Sequence, residues 1–162
     1  MARPLYLKQH MKEKQDEIRH AFAKPLGLIP EERTIEGLGL AKPVNTIFYV
    51  KSENQLVPFA FADVSWRSKP YDEFYADFRM SLRKRWAPIK KKAETSGLLT
   101  FLVLGFGCGS VRGWWVDPTR LIKVFKGGRW DRDDPEDEED MAAFPIGWFK
   151  TPETLFREMG LL

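Results

Sequence analysis

Cysteine and histidine are nearly missing from this chain of 162 residues, and each shortage closes off a chemistry. The single cysteine, Cys108, rules out an intramolecular disulfide framework and a cysteine-rich zinc site, and it suits a reducing compartment. It lies in Gly105-Phe106-Gly107-Cys108-Gly109-Ser110, a glycine-rich turn, where a small buried or half-buried thiol is the expected role. The two histidines, His10 and His20, both fall in the first helical stretch, which argues against a histidine metal cluster and against a Ser-His triad. No apolar run reaches the roughly 18 to 20 residues of a membrane span, and Met1 to Gln15 lacks the apolar core of a signal peptide. A cytoplasmic location is the default expectation. No P-loop signature occurs either: the glycine-rich stretch follows an apolar run, but no helical pattern opens after it.

With 43% hydrophobic residues the chain has the composition of one ordinary domain with one core. Its formal charge of +3 conceals a segregation. Arg79 to Lys92 carries seven basic residues and no acid, whereas Asp131 to Asp140 carries eight acids and one arginine.

Two apolar runs organise the chain. Leu56 to Lys69, read with period two, places Phe59, Phe61, Asp63, Ser65 and Arg67 on one face and Ala60, Ala62, Val64 and Trp66 on the other. It begins apolar on both faces and ends with acid, hydroxyl and guanidinium side by side, the pattern of a strand leading from a core into a site. Leu98 to Gly107 is apolar throughout, as a strand covered on both faces requires. The segment between them is long enough for a helical crossover joining parallel strands.

Around this unit, Tyr6 to Ala23 reads as an amphipathic helix with Leu7, Met11, Ile18 and Phe22 on its apolar side. Leu26 to Pro43, rich in glycine and proline, reads as a loop with one helical turn at Glu31 to Ile35. Val44 to Val50 reads as a strand forming a hairpin with the next. For Tyr71 to Thr95 the stripe Phe74, Phe78, Leu82, Trp86 and Ile89 predicts one helix, kinked or divided at Pro88. Gly113 to Val116 predicts a short strand, and Asp117-Pro118-Thr119 a helix cap. Gly127 to Asp140 reads as a solvated loop without calcium-ligand spacing, and Met141 to Trp148 as an edge strand holding Pro145. Thr151 caps a last helix with Leu155, Phe156 and Met159 on its buried side. The fold class is therefore α/β, a mixed sheet flanked by helices.

Arg79, Arg83, Lys84, Arg85, Lys90 and Lys91, with Trp86 among them, form a candidate phosphate-tracking surface with a stacking aromatic. The bland alternative is a solvated helix face whose long stems cover apolar neighbours. Trp114, Trp115, Trp130 and Trp148 read as packing residues rather than a ligand cage.

This element order, with a polar strand end beside a basic crossover, resembles the PD-(D/E)XK nuclease-like fold, the restriction-endonuclease-like core. The resemblance spans about Gln9 to Trp115. In that family an acid opens the first hairpin strand, and an acid and a lysine two residues apart stand on the next. The matching stretches are Pro43-Val44-Asn45 and Asp63-Val64-Ser65, with Glu17 or Glu36 in place of the acid sometimes supplied by the first helix or the loop after it. Asp63 keeps the pattern, while Asn45 stands for an aspartate and Ser65 for the lysine. The resemblance implies a magnesium ion (Mg2+) held by Asp63, Asn45 and Glu36 or Glu17, and a catalytic group of Asp63, Ser65 and Arg67 or Lys51 acting on DNA. A hard divalent ion prefers carboxylate to the neutral Asn45 carbonyl. A guanidinium such as that of Arg67 stabilises a phosphate but is a poor base. Two readings stay open: a metal-dependent nuclease, and a non-catalytic protein on the same frame that binds a nucleic acid or a protein partner.

Overall fold

A computed structural model describes residues 5–35, 40–71, 76–127 and 139–162. Its elements are α1 (Leu5–Ala23), β1 (Ile29–Ile35), β2 (Leu40–Ser52), β3 (Gln55–Arg67), β4 (Asp77–Ser81), α2 (Ala87–Thr95), β5 (Leu99–Phe106), β6 (Val111–Trp115), β7 (Lys123–Gly127), β8 (Glu139–Pro145) and α3 (Pro152–Glu158). Two sheets result. The first is mixed, in the order β1-β2-β3-β5-β6, and the second is antiparallel, in the order β4-β8-β7.

The expected strand, crossover and strand unit is present: β3 and β5 run parallel, with Asp63 beside Leu102. Every other pairing in the first sheet is antiparallel. β3 is the middle strand, and β5 is buried from Thr100 onward, which satisfies its unbroken apolar composition. Alternation along these strands divides the core in two. On one face Ala60, Ala62, Val64, Phe101 and Val103 pack beneath α1 and α3 through Ile18, Phe22, Leu155 and Phe156. On the other, Phe61, Leu102, Leu104 and Phe106 meet the second sheet and α2 through Phe78, Met80, Trp86, Ile89 and Phe144.

Several sequence expectations are corrected. The segment read as a loop after α1 holds β1, and β2 starts at Leu40 rather than Val44. The single helix expected over Tyr71 to Thr95 is instead β4, a π-helical turn at Leu82–Trp86, and α2. The apolar spacing at Phe78 and Leu82 fits a helix, but Phe78 and Met80 also alternate with exposed Arg79, and pairing with β8 decides in favour of the strand. Pro88 sits in the first turn of α2, where its missing N–H costs nothing, so it starts a helix instead of kinking one. Asp117 makes the cap-like bonds, accepting from the Thr119 N–H at 3.0 Å and the Thr119 hydroxyl at 2.6 Å, yet the chain turns into β7. β8 is no edge: it lies between β4 and β7, with Pro145 at its last position. Glu139 and Asp140, expected in the acidic loop, open β8, and residues 128–138, Trp130 included, fall outside the described part.

The glycine-rich stretch after β5 is the turn into β6. Gly109 takes the left-handed φ of 88° that the turn needs, and a Cβ at Gly107 would lie 2.0 Å from the Ser68 carbonyl oxygen. Cys108 is exposed there, not buried or half-buried. Among the described residues, no helix is long and apolar enough to cross a membrane.

Candidate functional site

The parity of β3 carries Asp63, Ser65 and Arg67 to the face covered by β4 and α2. Asp63 is only 3% exposed, and a carboxylate so placed must be compensated. The compensation comes from Arg85. Its Nη2 donates to Asp63 Oδ2 at 2.5 Å and to Ser65 Oγ at 3.0 Å, so one guanidinium nitrogen bridges both residues. Arg85 is delivered by the π-helical turn, a rare backbone form frequent at functional sites. Ser81 fixes that turn at its start: its hydroxyl accepts from the Lys84 N–H at 3.2 Å and donates to Glu139 at 3.0 Å.

Arg67 shares the face but serves differently. Its guanidinium lies 4.9 Å from the centre of the Phe78 ring and donates to the Trp66 carbonyl at 3.1 Å.

Asn45 arrives opposite Asp63 through an irregularity in β2. Val44 has φ of 61°, a left-handed value rare for a β-branched residue, and regular pairing of β2 with β3 begins only at Thr46. The Asn45 side chain replaces the missing rung. Its Oδ1 accepts from the Val64 N–H at 3.0 Å, and its Nδ2 donates to the Val64 carbonyl at 2.9 Å. Oδ1 also accepts from the Thr46 hydroxyl at 2.9 Å, which itself accepts from Arg19 Nε at 2.7 Å. Burial holds the Arg19 guanidinium below its ordinary value, against the opposing pull of Glu32 and Asp16. A bonded chain thus runs from α1 through β2 to the strand that bears Asp63.

Asn45→Asp, which places the resembled family's acid at this position, is expected to destabilise the fold by about 1–3 kcal/mol, because it deletes the donor to a buried carbonyl. Urea unfolding measures this; a variant as stable as the parent would show that the amide bridge holds nothing.

The other expected site residues do not gather here. Glu17 is exposed on α1, paired with Lys14 at 3.6 Å, on the opposite side of the sheet from Asp63. Lys51 is exposed at the far end of the hairpin, paired with Leu56, roughly 20 Å along β3 from Asp63 at the usual strand rise. Glu36 lies outside the described residues. Among the described residues no group of three or more His, Cys, Asp or Glu is placed to hold a metal ion. The donors that are described do not fit magnesium, since Asp63 is engaged by Arg85 and both ends of the Asn45 amide are engaged by Val64.

Cations surround the face instead. Lys92 and Arg33 lie 4.4 Å and 5.5 Å from the centre of the Phe61 ring, two positions before Asp63. Arg33 was not marked by the sequence, since Pro30 to Ile35 shows no apolar alternation, and Lys92 was marked only as the end of the basic stretch. Of the residues expected to meet nucleic acid, Arg83, Lys84, Lys90 and Lys91 are exposed. Arg79 is exposed too, bound to Asp77 at 2.8 Å and lying over Phe125. Trp86 is corrected: it is 4% exposed, packs on Trp114 and Phe144, and is closed to a base.

The fold is similar to that of a solved structure, a nuclease from a fusselovirus, with a TM-score of 0.50 over 96% of this chain and 92% of that one, at 11% identity. The fold is nuclease-like. No family model matches the sequence, and no curated protein matches it.

Proposed function

We propose that this chain binds nucleic acid on a nuclease-like frame, through cations around β3 and along α2, and that it does not cut. The observation that carries the reading is the Arg85 bridge between Asp63 and Ser65. In the resembled family those two positions hold a metal-ligating acid and a lysine. Here one guanidinium satisfies the acid, and its remaining N–H groups, on a side chain 32% exposed, suit phosphate binding and not proton abstraction. Arg33, Lys92 and the exposed Arg83, Lys84, Lys90 and Lys91 extend the positive field in which a phosphodiester backbone would lie.

The test is to incubate the full chain with duplex and single-stranded DNA in magnesium or manganese, and to follow retardation and cleavage on gels. Retarded, uncut DNA is expected. Cleavage that disappears in Asp63→Ala would overturn the non-catalytic reading and favour a metal-dependent phosphodiesterase. No retardation at about 50 mM salt, where phosphate contacts are strong, would remove nucleic acid as the partner and favour a protein partner.

A further inference from the structure

The hairpin of β2 and β3 outruns the sheet that it belongs to. Its neighbours stop short of it: β1 begins at Ile29, beside Tyr49, and β5 begins at Leu99, beside Ala60. The rungs Val50–Val57, Lys51–Leu56 and Ser52–Gln55 therefore have no further strand on either side among the described residues. Every residue from Val50 to Pro58 is exposed, so a two-stranded ribbon projects by about 14 Å at the usual strand rise. It holds apolar side chains out in water: Leu56 is 52% exposed, Val57 46% and Val50 36%. Its tip is polar, Ser52-Glu53-Asn54-Gln55, and turns with φ of 49° at Glu53 and 67° at Asn54. A glutamate enters that left-handed region at a cost, and such costs gather where a chain does its work.

The register ties the ribbon to the cationic face. Ile47 stands opposite Phe61, the ring over which Lys92 and Arg33 lie, and β2 alternates regularly from there to Ser52. The one shift in register, between Phe48 and Tyr49, is taken up in β3, where Ala60 and Pro58 are the successive partners. Tyr49 and Lys51, with their partners Pro58 and Leu56, therefore continue the face of Phe61, and Lys51 stands about 14 Å along it from Ile47. Size decides what the ribbon does not take. Each of its faces covers on the order of 150 Å², far short of the roughly 800 Å² per partner that a stable protein interface buries. Pro58, with no N–H to offer, also interrupts the edge of β3 that β5 leaves open, which discourages the addition of another strand. The major groove of B-form DNA, about 12 Å wide and 8.5 Å deep, admits a two-stranded ribbon of this kind.

We infer that the substrate is double-stranded DNA, and that this ribbon enters its major groove while the phosphate backbone lies on the cations beside Phe61. The inference rests on the nucleic-acid reading above and narrows it to B-form duplex, because the major groove of duplex RNA is deep and too narrow for side chains to read. The polar tip suits base edges: the Asn54 and Gln55 amides pair with adenine, and the Glu53 carboxylate accepts from the cytosine amino group. Leu56 and Val57 meet thymine methyl groups, apolar contacts that water denies them in the free protein. Lys51 is the one cation of the ribbon and Glu53 its one acid, so the ribbon adds base contacts and almost no net charge. Phosphate attraction then stays with the basic side chains of the site face and α2.

The experiment uses the full chain with a duplex DNA of about 16 base pairs, more than one helical turn, and with the duplex RNA of the same sequence. Fluorescence anisotropy gives the affinity for each, and dimethyl sulfate reports the groove, since guanine N7 lies in the major groove and adenine N3 in the minor. The parent is expected to bind the DNA at least about tenfold more tightly than the RNA and, at saturation, to protect guanine N7. The variant Glu53→Gly, Asn54→Gly, Gln55→Ser and Leu56→Ser keeps a turn that glycine favours and strips its side chains. It should lose the guanine protection and most of the preference for DNA, yet keep the salt dependence of binding, because no basic residue has changed. Circular dichroism confirms that it is folded, and the footprint of the parent decides the matter without it. Guanine N7 left open in the parent complex, protection at adenine N3 instead, equal affinity for DNA and RNA, or protection that survives in the folded variant each overturns the ribbon and leaves the nucleic-acid reading standing. Failure of duplex DNA, duplex RNA and single strands alike to bind overturns both.

Discussion

Arg85→Met is expected to destabilise the protein by about 3 kcal/mol, the loss that follows when one partner of a buried ion pair is removed. Methionine keeps much of the stem and its packing, so the change isolates the guanidinium. What it leaves behind is the Asp63 carboxylate, 3% exposed, with its bond to Arg85 gone and the Ser65 hydroxyl still beside it. Arg85 itself is 32% exposed, which places the expected cost at the lower end of the range for buried pairs. The decisive comparison is the double variant Asp63→Asn with Arg85→Met. Removing the charge as well should recover most of the loss, since the penalty belongs to an uncompensated carboxylate and not to the missing contact. Urea midpoints for the two single variants and the double variant close the cycle. If Arg85→Met alone shifts stability by less than about 0.5 kcal/mol, as an ordinary surface change does, Asp63 does not depend on Arg85 and the account of the site is wrong.

Binding should weaken steeply with salt. Contacts to about four phosphates give a slope of log affinity against log salt near −3.6, a loss of roughly a hundredfold between 50 and 200 mM. Changing Arg83, Lys84, Lys90 and Lys91 together to glutamine is expected to flatten that slope by two units or more and to weaken duplexes of different sequence alike. All four side chains are exposed, so the fold should not suffer. A slope that stays as steep in the quadruple variant would move the phosphate contacts off this segment.

The central unit was legible because its signals have a single physical cause. An apolar run such as Leu99 to Leu104 survives only as a strand covered on both faces, and its parallel partner had to be reached through a crossover. The site face of β3 was legible by parity alone. What was not legible depended on pairing between distant segments. Phe78 and Leu82 satisfy a helical stripe and a strand equally well, and only β8 selects the strand. For the same reason Arg85 was read as part of an outward basic surface: its direction is set by the turn that β4 forces on Leu82 to Trp86. Asn45 looked like a weakened ligand because the sequence carries no sign that its amide stands in for a rung of backbone bonding.

The insertion of β4 within the crossover bears on the order in which the chain assembles. The strands β1, β2, β3, β5 and β6 are complete by Trp115, yet Ser81, at the end of β4, bonds to Glu139, 58 residues later in sequence. Pairing over such a separation is slow, because the closure entropy must be met before the contact forms. The second sheet is therefore the slower of the two to close, and the turn that carries Arg85, anchored at Ser81, reaches its final place only once β8 has paired with β4.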